Sequence, residues 1–211
     1  MSIEQRPAHG GNYARGRGVP IDRVVIHVAD GSYDGTLSWF ANPDCNVSAH
    51  YTVAMNGRVG QSVREDDTAW HAGDTLMNRR SIGIEHEGRP SVEPWTPSDA
   101  QLRASASLVA GLCLRYGIPA DRTHLIGHNE VNPKRTARKN CPGPTWPWER
   151  YVTLVRSALV LIQPPPLDAL AEVFFEEPGG GEVRMTGEVT RYGGLTVTRR
   201  DDGTVLVSGK K

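Results

Sequence analysis

Arg23-Val24-Val25-Ile26-His27-Val28 is the stretch whose reading decides the fold. Val24, Val25 and Ile26 are β-branched, and such side chains favour extended backbone. The run is too short for a helix and reads as a buried strand over residues 23–28. His27 closes its apolar part, at the end of a strand, where side chains reach a cleft.

Further strands and helices follow on either side. His50 to Met55 and Arg58 to Val63 flank Asn56-Gly57, a strong hairpin turn signal. Ser81 to Glu87 reads as another strand, with Ile82, Ile84 and His86 on one face and Gly83, Glu85 and Glu87 on the other. Thr36 to Ala41 starts a short helix. A longer one begins at Thr96-Pro97-Ser98-Asp99 and runs to Tyr116 on helical apolar spacing, with Gly117 and Pro119 ending it. His124 to Ile126 is a short strand and Trp148 to Ile162 a last amphipathic helix. Residues 1–20, rich in Gly, Arg and Pro, read as an irregular arm. Pro164-Pro165-Pro166 is a stiff break. Beyond it the tail carries a second hairpin signal, Leu195 to Arg199, Asp202-Gly203 and Thr204 to Val207.

Composition narrows the function classes. The 211 residues allow one sizeable core and a small appendage. With 24 basic and 24 acidic side chains, bulk charge points neither to nucleic acid nor to a membrane surface. No apolar stretch approaches the ~18 residues of a membrane span, and Met1 to Pro7 has no apolar signal core. Cytoplasmic synthesis without a signal peptide is the expectation, with no membrane insertion and a monomeric state. Three cysteines cannot form a complete disulfide framework. Cys113 falls in a helical apolar pattern and Cys45 in a loop; a bridge between them stays open but is disfavoured in a reducing compartment.

The third cysteine carries chemistry. Cys141 opens Cys141-Pro142-Gly143-Pro144, and His128 lies in Ile126-Gly127-His128-Asn129-Glu130-Val131. Two imidazoles, His27 and His128, and one thiolate leave a fourth zinc position open, the ligand count of a catalytic site. A lone strand histidine is more often a satisfied core residue, and the hundred-residue spacing from His27 to His128 is no local zinc motif. The core reading therefore stays open on these residues alone.

A resemblance sharpens it. Ile26-His27, Val47-Ser48-Ala49-His50-Tyr51, Ala69-Trp70-His71-Ala72-Gly73, Ser81-Ile82-Gly83-Ile84-Glu85, Gly127-His128-Asn129-Glu130-Val131 and Lys139-Asn140-Cys141-Pro142-Gly143-Pro144 occur in that order. Over residues 20–160 the chain resembles the zinc-dependent N-acetylmuramoyl-L-alanine amidases, the family of phage endolysin amidases and peptidoglycan recognition proteins. The resemblance implies an α/β fold: a central mixed sheet flanked by helices, with Zn2+ in a surface groove on His27, His128 and Cys141. Many relatives carry Asp at the third position, and others Cys. It implies Glu85 as general base and then acid, with Glu87 as its rival, and Lys139 as oxyanion stabiliser. His50, Trp70 and His71 become candidate substrate-binding residues. A tyrosine that some phage relatives use falls at Ala49, so its role does not transfer.

The implied activity is hydrolysis of the amide between N-acetylmuramic acid and L-alanine in bacterial peptidoglycan. The alternative is a non-catalytic recognition module of the same fold. Such modules often lack the zinc-binding cysteine. The expected organisation is an arm over 1–20, a catalytic domain over 21–163, and a proline linker with a small β-rich element over 164–211.

Overall fold

The computed structural model describes residues 2–91, 95–131, 141–162, 189–192, 195–199 and 205–209. Lys139, the proline break and the Asp202-Gly203 turn lie outside the described residues. The chain divides into two units, Met1–Ile162 and Gln163–Lys211.

In the first unit the strand read at residues 23–28 forms as β3 (Arg23–Val28), and Val24, Val25 and Ile26 are wholly buried. It lies inside a six-stranded sheet made with β1 (Ile3–Gln5), β4 (Tyr51–Val53), β5 (Val59–Gln61), β7 (Ser81–His86) and β8 (Leu125–Gly127). Their order is β1-β5-β4-β7-β3-β8. Only the β4–β5 hairpin pairs antiparallel; the other neighbours run parallel, so the sheet is mixed.

Helices cover both faces. Val24, Ile26, Ile82 and Ile84 pack with Leu102, Ala106, Val109 and Leu112 of α3 (Asp99–Tyr116) and with Tyr151 and Val155 of α5 (Trp148–Ile162). The opposite face receives α1 (Tyr33–Ala41), with Tyr33 and Leu37 set over Gly60. Strand alternation thus sorts the side chains. Ile26, Ile84 and His86 point to the α3–α5 core, and His27 and Glu85 to the α1 side. Ser98 caps α3 by accepting from the Gln101 N–H at 3.0 Å, and Gly117 ends it at φ 65°, a left-handed conformation that costs glycine little.

Two features depart from the sequence reading. Residues 1–20 are not simply an irregular arm. β1 pairs with β5 from Ile3↔Val59 to Gln5↔Gln61, and β2 (Tyr13–Ala14) pairs antiparallel with β6 (Thr68–Ala69). Paired stretches of two and three residues are too short to leave a period in the sequence. The helix α2 (Thr75–Arg80) was not foreseen either; it has no buried residue and hence no apolar stripe. The short helix α4 (His128–Val131) follows β8 directly. None of the three cysteines is in a disulfide, so no bridge joins Cys45 to Cys113.

In the second unit β9 (Val189–Tyr192), β10 (Leu195–Arg199) and β11 (Val205–Gly209) form an antiparallel sheet in the order β11-β10-β9.

Candidate metal centre

Three parallel strands end side by side, and their register builds the site. His27 aligns with Glu85 on β7, while Ile26 aligns with Gly127 on β8, which leaves His128 next along beside His27. Glu85, His27 and His128 therefore form a row at the carboxyl ends of β7, β3 and β8, the edge where open α/β sheets carry their sites. Cys141 meets the row from the segment before α5. Its Sγ accepts the Val28 N–H at 3.3 Å, which complements thiolate charge.

The Nδ1 atoms of His27 and His128 are 3.1 Å apart, and Cys141 Sγ is 3.8 Å from His27 Nδ1. One ligand atom from each of these three residues lies within 4.8 Å of the others, a group that can hold a metal ion. Tetrahedral zinc, with bonds of about 2.0–2.3 Å to nitrogen and sulfur, needs ligand atoms roughly 3.3–3.8 Å apart, so separations of 3.1 and 3.8 Å come within a few tenths of an ångström of that requirement. His27 and His128 are buried, and Cys141 is half-buried.

Glu85 Oε1 lies 3.8 Å from His27 Nδ1. Its side chain is only partly buried, and it lines a cleft of about 330 Å3 with Asp30, Gly31, Thr36, Trp39 and Val47. Trp39 is 52% exposed there. The rival carboxylate is occupied elsewhere: Glu87 Oε2 accepts the Met55 N–H at 2.8 Å, at the hairpin turn.

Two of the expected substrate-binding residues are buried within the fold. His50 is wholly buried; its Nδ1 accepts the Gly83 N–H at 2.9 Å and its Nε2 lies 3.2 Å from the Asp67 carbonyl. Burial, with the Arg17 guanidinium alongside, holds its pKa well below the usual value. His71 is also buried, behind His27, with its Nδ1 3.0 Å from His27 Nε2. Burial drives its pKa down to about 3. Trp70, one residue earlier, points the other way and lines a separate cleft with Arg15, Asn46 and Arg79. Adjacent residues of an extended segment diverge in this way, so Trp70-His71 cannot line one groove together. Ala49 is core, packed with Phe40, Val63 and Ala69. Tyr51 faces away from the site, its hydroxyl on Glu65.

Sequence reasoning missed the support beneath the row. The His86 ring bonds the His27 carbonyl through Nδ1 and Ser105 Oγ through Nε2, both at 2.8 Å. Ser105 Oγ is 2.7 Å from Tyr151 OH. A carbonyl only accepts, so Nδ1 carries the proton. The ring is wholly buried, and its pKa falls to about 4.

Residues 17–144 match the family model for N-acetylmuramoyl-L-alanine amidase. The chain is 34% identical over 166 residues to N-acetylmuramoyl-L-alanine amidase A of Achromobacter lyticus, spanning 71% of this chain and 90% of that protein. It is 34% identical over 138 residues to 1,6-anhydro-N-acetylmuramyl-L-alanine amidase AmpD of Citrobacter freundii, 60% of this chain and 70% of that one. Among solved structures, a mutant endolysin from Bacillus subtilis matches with a TM-score of 0.56 and 21% identity, over 74% of this chain and 99% of that one, a likeness of fold. The chain belongs to the N-acetylmuramoyl-L-alanine amidase family, as the sequence resemblance implied. Among the described residues no helix is long and apolar enough to cross a membrane.

Proposed function

We infer that this chain is a zinc-dependent peptidoglycan hydrolase of the endolysin type, cutting the amide between N-acetylmuramic acid and L-alanine of the stem peptide. The observation that carries the reading is the His27, His128 and Cys141 donor set with the Glu85 carboxylate beside it at the end of an open cleft. His27, His128 and Cys141 hold the ion. Bound zinc supplies a water acidified towards ~7 and a Lewis acid for the scissile carbonyl. Glu85 takes a proton from the attacking water and delivers it to the departing L-alanine nitrogen. Lys139, two residues before Cys141, offers a cation to the developing oxyanion. The exposed Trp39 in the cleft gives a sugar or peptide a flat apolar surface. Residues 21–163 act as the catalytic domain, and the β-rich element after the proline break is auxiliary.

Digestion of intact sacculi and of defined muropeptides, with mass analysis of the products, tests the reading. Free stem peptides with an L-alanine amino terminus are the expected product from intact walls. Activity restricted to soluble 1,6-anhydro-muropeptides would move the chain to the AmpD type. Wall binding without new amino groups would make it a recognition module, a reading that Cys141 weighs against.

A further inference from the structure

A chain of hydrogen bonds runs behind the metal-facing edge of His27, and its direction is fixed from its far end. Ser81 Oγ lies 2.5 Å from the Met77 carbonyl oxygen, which can only accept, so the Ser81 hydroxyl proton is spent there. His71 Nε2, 3.3 Å from Ser81 Oγ, must then be the donor to that oxygen. A neutral His71 with its proton on Nε2 has a bare Nδ1. That atom faces His27 Nε2 at 3.0 Å, so His27 Nε2 carries a proton and donates. A neutral His27 protonated on Nε2 presents a lone pair on Nδ1, the atom that faces His128 Nδ1 and Cys141 Sγ.

We propose that His71 and Ser81 are positioning residues that lock His27 in its Nε2–H tautomer, so that Nδ1 is ready for a metal before the metal arrives. A histidine ligand's second nitrogen commonly fixes its tautomer in this way, and outer partners of this kind carry part of the affinity. Gly83 belongs to the same device. A Cβ at Gly83 would sit 2.4 Å from His71 Cγ and 2.6 Å from its Nδ1, so a bare backbone on β7 is what lets the imidazole lie flat between the strand and His27. The motif Ser81-Ile82-Gly83 thus provides, from one strand, both the acceptor that orients His71 and the space it occupies. The claim that the lone pair serves a metal rests on the zinc reading above; the tautomer claim does not.

The test therefore has two readouts on the full chain. The first is nitrogen-15 NMR of the metal-free protein at neutral pH, with His27 assigned by its loss in His27→Gln. The wild type should show His27 protonated on Nε2. His71→Phe, which removes the acceptor and keeps the ring volume, should mix the tautomers. His71→Asn, whose amide oxygen falls near the Nδ1 position, should restore the wild-type signal. Ser81→Ala, the mildest change, should mix the tautomers of His71 and His27 together. The second readout is zinc affinity by competition with a chromogenic chelator. His71→Phe should weaken it about 10–100-fold, and His71→Asn should recover most of the loss. A wild-type His27 protonated on Nδ1, or a His71→Phe variant with unchanged tautomer and affinity, would overturn the proposal. A wild type with the Nε2–H tautomer and no zinc binding would uphold the lock and remove the zinc reading instead.

Discussion

His27 and Glu85 are register partners on neighbouring parallel strands, and Glu85 Oε1 lies 3.8 Å from His27 Nδ1. Partner residues on paired strands are about 4.8 Å apart and point to the same face. The backbone alone therefore sets a carboxylate beside a nitrogen of the candidate metal site, with no loop to position it.

Replacing that carboxylate by its isostere separates proton transfer from metal binding. Glu85→Gln should keep the bound metal and lower kcat about 10²–10⁴-fold, the usual weight of a general base or acid. Glu87→Gln should stay near wild type in kcat, because the Glu87 carboxylate is engaged by the Met55 N–H. Turnover by product mass analysis and metal content by elemental analysis give both numbers on one preparation. A Glu85→Gln enzyme with full turnover would take the proton-transfer role away from this residue.

Cys141 supplies the sulfur of the donor set, and Val28 N–H points at it from 3.3 Å. Cys141→Ala should lose metal to a mild chelator and lose activity with it, since only two neutral nitrogens remain. Cys141→Asp keeps one negative donor, as in the relatives with Asp there, and should retain measurable activity. Wild type stripped by a strong chelator should regain activity when zinc is restored. Competition titration and reactivation assays check all three outcomes, and a Cys141→Ala protein of unchanged metal affinity would contradict them.

His86 predicts an acid limit. Its folded pKa is about 4, against an unfolded value of 6.5, because burial disfavours the charged ring. Between those values the unfolded chain binds a proton that the native chain does not, so stability rises with pH. The contribution is fully present above about 6.5 and is lost as pH falls towards 4, on the order of 3 kcal/mol over the window. Thermal unfolding of the metal-free protein should show Tm falling across it. His86→Gln should flatten that slope while lowering Tm at pH 7, because the bonds to the His27 carbonyl and Ser105 are disturbed.

The parts of the fold legible in the sequence are those with a long period or strong punctuation. β3, the Asn56-Gly57 hairpin, β7, α3 with its Ser98 and Gly117 caps, and α5 all carry such signals. β1, β2 and β6 do not, being two or three residues long and held by partners distant in the chain. His27, His128 and Cys141 are singled out by residue type and family pattern, while the row that Glu85, His27 and His128 form on three strand ends appears only with the sheet register. The burial of His50 and His71 is not legible in their motifs, because motif position says that a residue is near the site, not which side of His27 it occupies. His86 sits on the core face as its strand period requires, but its bonds go to the His27 carbonyl on β3 and to Ser105 on α3, both distant in the chain.

Trp39 offers a test of where the substrate lies. It is 52% exposed on α1, beside Val47 at 42%, and both line the cleft that contains Glu85. An aromatic left so exposed contributes little to the core, so Trp39→Ala should hardly move Tm. If a sugar or peptide packs on the indole before and during the reaction alike, its loss removes uniform binding, which raises KM and leaves kcat in place. A tenfold rise in KM corresponds to about 1.4 kcal/mol, within reach of one aromatic face. Trp70→Ala, in the separate cleft with Arg15 and Arg79, serves as the comparison. Steady-state rates on a defined muropeptide should show the larger KM effect at Trp39. A larger effect at Trp70 would shift the substrate path to that second cleft and return Trp70 to the role its motif first implied.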